Sequence, residues 1–339
     1  MNIDWKNLPF GYMKTDVNAR AYYRDGKWTD LEFTDSEHIS IHMAATGLHY
    51  GQQAFEGMKA FRGKNGDIRL FRWKENAARM RRSAQGIYMA EVPDELFFEA
   101  IKETVLRNER FIPPYGTGAS LYIRPLLYGS GAEVGVKPGK EYTFLVFVTP
   151  VGPYFKEGFN PVKILLEMNS DRAAPLGTGT LKVGGNYAAS LRGVMKAHGE
   201  GCGSPMYLDP KEKKYIDEIG AANFFGIKDN TYITPESTSI LPSITNKSLM
   251  QLAEHIGMKV ERRPVAFDEL ESFEEIGACG TAAIISPIGC VIDAENQKFY
   301  NFCCDGKAGP VSTKLYNYLV GLQNGEIEDE FGWITVIKE

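Results

Sequence analysis

The feature that most constrains this chain is a break near its middle. Residues Tyr142 to Val151 read as a buried strand, and positions 152 to 161 that follow read Gly-Pro-Tyr-Phe-Lys-Glu-Gly-Phe-Asn-Pro. Prolines and glycines in that density end a strand and do not start a helix, so 151–161 is the expected linker between domains 1–150 and 162–339. A length of 339 residues suits two domains, each large enough for its own core.

Both halves read as mixed α and β. In the first, Ile68 to Trp73 and Ser120 to Tyr128 join Tyr142 to Val151 as strand patterns. A helix is predicted after Pro93, with Asp94 and Glu95 in its first turn and Leu96, Phe97, Ala100, Ile101 and Val105 on its apolar face. Another runs from about Asn76 and carries Arg79, Arg81 and Arg82. In the second half, Val162 to Glu167 reads as a strand, Tyr187 to His198 as a helix ended by Gly199, and Met206 to Thr234 as short strands. A further helix is predicted from Thr245, with its hydroxyl as the cap and Leu249, Leu252, Ala253 and Ile256 at helical spacing before Gly257.

Composition removes several classes of function. The chain has 38 basic and 43 acidic residues, a net charge of −5, so no global basic field for nucleic acid or an anionic membrane is present. No apolar run is long enough to cross a bilayer, and MNIDWKNLPF lacks a signal-peptide pattern, so a cytosolic protein is expected. Cys202, Cys279, Cys290, Cys303 and Cys304 show no paired spacing, so reduced thiols are expected and no metal site is.

Five places can carry chemistry. Between Arg172 and Arg192 the chain reads AAPLGTGTLKVGGNYAASL, in which Lys182 is the only charged side chain. A lysine in such surroundings loses hydration, which frees its amine to condense with a carbonyl; the alternative is a solvated loop lysine. The glycines fit neither a Walker loop nor a dinucleotide fingerprint. Ile244 and Thr245 begin a helix, where free amides suit a phosphate or simply receive a cap. The turn Cys279-Gly-Thr-Ala-Ala283 can bring amides to an anion or serve as a plain turn. Glu218 alternates with Ile216 and either pairs with a protonated ring nitrogen or lies at an exposed strand edge. Arg79, Arg81 and Arg82 read as one phosphate ligand with two surface arginines or as a solvated face, and least well as a nucleic-acid stripe.

Taken together these segments resemble the branched-chain aminotransferases among the fold-type IV pyridoxal-phosphate enzymes, over nearly the whole chain. The likeness rests on Gly47 to Phe61 (GLHYGQQAFEGMKAF), Asn76 to Ala84 (NAARMRRSA), Leu121 to Pro125 (LYIRP), Lys182 to Tyr187 (KVGGNY), Glu218 with Asn223, Leu241 to Thr245 (LPSIT) and Gly280 to Ala282 (GTA), in the family's order. It implies an α/β (α+β) architecture of two domains, a smaller N-terminal α+β domain and a larger, β-rich C-terminal one with helices that carries the lysine. It also implies transamination of L-leucine, L-isoleucine and L-valine with 2-oxoglutarate, using pyridoxal 5′-phosphate.

By the same resemblance Lys182 forms the Schiff base with the coenzyme and shuttles the proton of the reaction, while Glu218 faces the pyridine nitrogen. Tyr187 matches the tyrosine on the phenolic oxygen. Arg79, Ile244, Thr245 and Thr281 match the phosphate cradle, and Asn223 and Leu241 also stand at the coenzyme. Thr281, Ala282 and Tyr122 would receive the substrate's α-carboxylate. Tyr50, Phe55 and Tyr154 would form an aromatic wall, suited to branched side chains because each buried methylene contributes about 0.8 kcal/mol. Arg124 would meet the distal carboxylate of glutamate. Val134 and Val136 match a loop that reaches a neighbouring subunit's pocket, which implies a homodimer with small-molecule substrates and neither a nucleic-acid nor a membrane partner.

Two departures stand out. Ala221 and Ala222 replace a hydroxyl residue found after the acid in some relatives, and Ala283 and Ser286 occupy positions where some carry a Cys-x-x-Cys pair, so thiol regulation of that type is not expected. A D-amino-acid aminotransferase or an aminodeoxychorismate lyase would keep the lysine, acid and phosphate residues but change the wall, and Phe55 to Ala60 (FEGMKA) favours the branched-chain member. A non-catalytic anion-binding protein would need only Arg79 and the two amide sites.

Overall fold

The computed structural model describes residues 3–152, 159–303 and 305–338. Strands β1 (Asn18–Arg24), β2 (Lys27–Trp28) and β3 (Glu32–Thr34) come first, then the one-turn helix α1 (Thr46–His49) and strands β4 (Gln53–Phe55), β5 (Met58–Arg62) and β6 (Ile68–Phe71). Helices α2 (Trp73–Gly86) and α3 (Asp94–Arg107) precede the long strands β7 (Ser120–Gly129) and β8 (Tyr142–Val151). Next come β9 (Val162–Glu167), α4 (Gly184–Gly199), β10 (Ser204–Leu208), β11 (Ile216–Ile219), β12 (Ala222–Lys228) and β13 (Thr231–Pro235). The chain ends with α5 (Ile244–His255), β14 (Lys259–Arg263), β15 (Glu275–Gly280), β16 (Ile284–Asp293), β17 (Lys298–Asn301), α6 (Pro310–Gln323) and β18 (Ile334–Lys338).

Contacts divide the chain into two units. The first is Met1–Lys156 with Leu181–Gly184 and Gly321–Glu339; the second is Glu157–Thr180 with Gly185–Val320. The sequence reading put Lys182 and the C-terminal stretch in the second domain, and both fall in the first unit instead. The reasons are non-local: β18 pairs antiparallel with β6, and Val183 bridges to Ala54 while its side chain is buried in the first unit's core.

In the first unit an antiparallel sheet runs β18-β6-β5-β7-β8-β1-β2, with β3 on β1 and β4 on β7. Side chains alternate across each strand. Leu121 and Ile123 of β7 and Phe144, Val146 and Val148 of β8 join Ala77, Met80 and Ala84 of α2 and Phe97, Ala100, Ile101 and Val105 of α3 in one core. Burying side chains of this size contributes roughly 1.5 to 3 kcal/mol each. The alternate residues of β7, Tyr122 and Arg124, therefore sit on the other face, which is where the chemistry-bearing groups gather.

In the second unit the order is β11-β10-β9-β16-β15-β12-β13-β14, with β17 on β16. Because β11 also pairs with β12, strands β9, β10, β11, β12, β15 and β16 close into a ring. Closure removes edges, so Glu218 on β11 does not lie at an exposed edge. The core of this unit includes Ile164, Leu166, Met206, Leu208, Phe224, Ile276, Ile288 and Val291. No helix among the described residues is long and apolar enough to cross a membrane.

Candidate active site

Lys182 is held by its backbone. Its amide donates to Ser83 Oγ at 2.9 Å, and its carbonyl accepts from the Phe55 amide at 3.1 Å. Half-buried, it places Nζ 4.7 Å from the centroid of the Phe55 ring. An ammonium beside an aromatic face, on a backbone fixed at both ends, is not the solvated loop lysine of the alternative reading.

Arg79 is buried on α2, and its Nε and Nη2 donate to Glu56 Oε1 and Oε2 at 2.8 Å each. Asn76, one turn earlier on the same helix face, adds a 2.7 Å bond to Oε2. Burial raises the pKa of Glu56, but the charge and hydrogen bonds of Arg79 and the charge of Lys182 outweigh it and leave the carboxyl below its usual range. Of the other two arginines, Arg81 pairs with Asp94 and Arg82 is exposed, as expected of surface residues.

On the outer face of β7, Arg124 Nη2 donates to Tyr122 Oη at 3.0 Å, and its guanidinium carbon lies 4.8 Å from the Phe55 centroid. Arg124 Nε is buried without a hydrogen-bond partner among the described residues. Tyr122 crowds Gly57 so closely that any side chain there would have to push the Tyr122 ring aside, so glycine leaves room for it. Tyr50 is largely exposed and donates to the carbonyl of Val134, whose side chain and that of Val136 are exposed. Tyr154, the third member of the expected wall, lies outside the described residues.

In the second unit Glu218 is 1% exposed. It stands opposite Asn223 in the β11–β12 register, and Asn223 Nδ2 donates to Glu218 Oε1 at 2.6 Å and to the Leu241 carbonyl at 3.0 Å. The hairpin turns through Gly220, at φ +57°, with Ala221 exposed and Ala222 half-buried. Glu218 Oε2 forms an ion pair with Arg172 Nε but is not aligned for a hydrogen bond. Burial pushes the Glu218 pKa up to about 7, against the opposing pull of Arg172 and Asn223. A buried carboxylate of this kind has the chemistry to receive the N–H of a protonated pyridine ring. Tyr187 is half-buried on α4 of this unit.

The helix expected from Thr245 begins at Ile244, and its cap is Ser243, whose Oγ accepts from the Asn246 amide at 3.2 Å. Thr245 is thus a buried residue of the first turn and not the cap. With Asn246 N–H taken by the cap, the amides of Ile244 and Thr245 lie ahead of the intrahelical ladder, where a phosphate oxygen suits them. The other expected anion turn narrows to residues 281–283, because Cys279 and Gly280 belong to β15. Thr281 and Ala282 are half-buried, and Ile284 closes the turn at φ +65°. That backbone is costly for a β-branched residue, and such strain gathers at functional turns.

Reading the sequence missed Glu56, Ser83, Arg172 and Asn246. Glu56 had a visible signal, an acid among small and apolar residues that wants a cation; the other three show their roles only through partners distant along the chain. No group of three or more metal-binding side chains occurs among the described residues.

The family model described as amino-transferase class IV matches residues 53–290. A branched-chain-amino-acid aminotransferase of Haemophilus influenzae is 49% identical, with 99% of each chain covered. Among solved structures, the branched-chain amino acid aminotransferase of Escherichia coli superposes with a TM-score of 0.79 at 28% identity, covering 94% of this chain and 100% of its own. A second solved enzyme of the same name, holding pyridoxamine 5′-phosphate, also gives 0.79, at 27% identity over 96% of this chain and 100% of its own.

Proposed function

The chain belongs to the class IV amino-transferase family, and from that premise we propose that it transfers the amino group of L-leucine, L-isoleucine or L-valine to 2-oxoglutarate with pyridoxal 5′-phosphate. The observation that carries this reading is the 49% identity, over 99% of each chain, to the Haemophilus influenzae branched-chain-amino-acid aminotransferase, beside Glu218, a buried carboxylate ion-paired with Arg172. Bound pyridoxal phosphate supplies an aldehyde that condenses with amines and a ring that withdraws electrons from the substrate's Cα.

The residues do the rest. Lys182 Nζ would hold the coenzyme through its aldehyde carbon and, when free, would move the proton at the substrate's Cα. Glu218 keeps a proton on the ring nitrogen, and Tyr187 serves the phenolic oxygen. Ile244, Thr245, Thr281 and the guanidinium of Arg79 hold the phosphate, with Asn223 and Leu241 supporting Glu218. Thr281, Ala282 and Tyr122 orient the α-carboxylate. Tyr50, Phe55 and Tyr154 shelter the apolar side chain, and Arg124 receives the distal carboxylate of glutamate. A branched-chain reading is favoured over the D-amino-acid or lyase alternatives by the name and 49% identity of the Haemophilus influenzae relative.

Two further parts belong to this reading. A homodimer is supported by the exposure of Met43, Leu48, Val134 and Val136 in the first unit, apolar side chains that a second copy would cover. A cytosolic location is supported by four free thiols, Cys202, Cys279, Cys290 and Cys303, among the described residues.

The test is direct. Protein loaded with pyridoxal 5′-phosphate and reduced with borohydride should carry the coenzyme covalently on the peptide containing Lys182, and should form glutamate from 2-oxoglutarate and L-leucine. Label at another lysine, or glutamate formed from D-alanine in preference, would refute the reading. Light scattering should give twice the 37.8 kDa chain mass.

A further inference from the structure

Behind Glu218 lies a buried row of polar side chains that the reaction as described does not use. Tyr232 Oη donates to Asn246 Oδ1 at 2.8 Å, and Asn246 Nδ2 donates to Thr234 Oγ1 at 2.9 Å and to Asn223 Oδ1 at 3.2 Å. Asn223 Nδ2 then donates to Glu218 Oε1 at 2.6 Å. Thr234 passes its own proton to the Phe224 carbonyl at 2.7 Å, so it can only accept from Asn246. Tyr232, Thr234, Asn246, Asn223 and Glu218 are all buried.

Each donor in this row fixes the next. An asparagine amide can be turned by about 180° with little change in shape, so its orientation is set by its partners. Tyr232 and Thr234 hold Asn246 with its oxygen toward the phenol. Asn246 therefore aims N–H at Asn223 Oδ1 and, together with the Leu241 carbonyl that accepts from Asn223 Nδ2 at 3.0 Å, leaves Asn223 with N–H toward Glu218. Turned the other way, Asn223 would offer an oxygen, which repels a carboxylate and welcomes a protonated acid. Donation to the charged form favours that form.

We propose that Asn246 is a positioning residue: it locks the Asn223 amide in the orientation that donates to Glu218, and so keeps Glu218 an anion ready for the coenzyme's ring nitrogen. Asn246 belongs to the first turn of α5, two residues after Ile244 and next to Thr245. One helix turn thus holds the phosphate amides and orients the ring acid. The inference rests on the assignment of Glu218 to the ring nitrogen. The other titratable groups that act on Glu218 are Arg172, Asp217 and Cys279, and Asn246→Ala leaves all three in place.

The experiment measures binding to apoprotein and not turnover. Dissociation constants for pyridoxamine 5′-phosphate and for inorganic phosphate are taken from about pH 5.5 to 8.5 for wild type, Asn246→Ala, Glu218→Gln and the double variant. Asn246→Ser is the second choice if the alanine variant does not fold, since its hydroxyl and a water refill the space. The expected result is that Asn246→Ala moves the midpoint of the pyridoxamine-phosphate profile up by about one pH unit and weakens binding roughly tenfold at pH 7, the scale of one hydrogen bond to a charged group. Phosphate binding should change less than about twofold, and Asn246→Ala should add nothing in the Glu218→Gln background. A wild-type profile in Asn246→Ala, with a changed one in Glu218→Gln, overturns the role of Asn246 alone. Equal loss of phosphate binding overturns it in favour of a structural role in the helix. An unchanged profile in Glu218→Gln overturns both the inference and the assignment of Glu218 beneath it.

Discussion

Arg79 and Glu56 form a two-pronged ion pair in the interior of the first unit, with both hydrogen bonds at 2.8 Å and Glu56 fully buried. The acid holds the guanidinium plane fixed and balances its charge, so that a phosphate would meet a cation already oriented. Glu56→Gln should lower the unfolding free energy by about 3 kcal/mol, because breaking a buried pair strands the remaining charge. Replacing both partners, Glu56→Leu with Arg79→Met, should recover most of that stability yet still bind coenzyme poorly. Urea denaturation and coenzyme titration of the single and double variants separate the two effects.

Glu218 makes the stability of the apoprotein depend on pH in an unusual direction. Its pKa is raised to about 7 by burial, so the folded state binds its proton more tightly than the unfolded chain does. This group costs nothing below about pH 4.3, the ordinary glutamate value, and its penalty grows as pH rises to 7, reaching about 3 kcal/mol. The urea midpoint should therefore fall between about pH 5 and 7.5, and Glu218→Gln should flatten that fall whatever its absolute stability. An identical slope in the variant would show that Glu218 does not titrate there.

Lys182→Ala keeps the backbone contacts to Ser83 and Phe55 but has no amine to condense with an aldehyde. Coenzyme should still bind through its phosphate, borohydride should attach nothing to that peptide, and turnover should drop by about a thousandfold or more. Mass spectrometry after reduction and a coupled assay read the two halves of this expectation.

How much of this arrangement the sequence disclosed depends on how local each feature is. Strand β8 and strand β9 have the bounds read from their apolar patterns, and Glu218 with Asn223 stands out as a pair because a hairpin brings residues so near in sequence into register. The cap of α5 lies two positions before the one expected because Ser243 and Thr245 are both good caps, and only the backbone, extended at Ser243 and helical from Ile244, decides between them. The partnerships of Arg79 with Glu56 and of Lys182 with Ser83 join residues far apart in the chain. No periodicity predicts such contacts, and they explain why Lys182 belongs with the first unit.

Arg124 should separate the two substrates. Its Nε is buried without a partner among the described residues while Nη2 is tied to Tyr122, a state that suits an arriving carboxylate. Arg124→Leu should weaken use of 2-oxoglutarate by about ten- to a hundredfold, the value of a charged hydrogen bond. L-leucine should lose far less, since its side chain meets only the aromatic wall. Single-turnover half-reactions with each substrate measure the split, and equal losses would remove Arg124 from distal-carboxylate recognition.

Redox sensitivity is the property in which this chain should differ from relatives that carry paired cysteines. Ala283 and Ser286 stand at the matching positions, and neither can form a disulfide. The neighbouring Cys279 is fully buried in β15, where burial pushes its thiol pKa well up, so almost no reactive thiolate exists at neutral pH. Cys303 is half-buried and its Sγ donates to the Ile288 carbonyl at 3.7 Å. Cys304 lies outside the described residues, and as its immediate neighbour in sequence it would form only a strained bond with Cys303. Mild peroxide followed by a reductant should therefore leave turnover unchanged at each stage. Peptide mapping that found a disulfide formed in step with a reversible loss of activity would overturn this, and would place the switch at Cys279 or at the Cys303 and Cys304 pair.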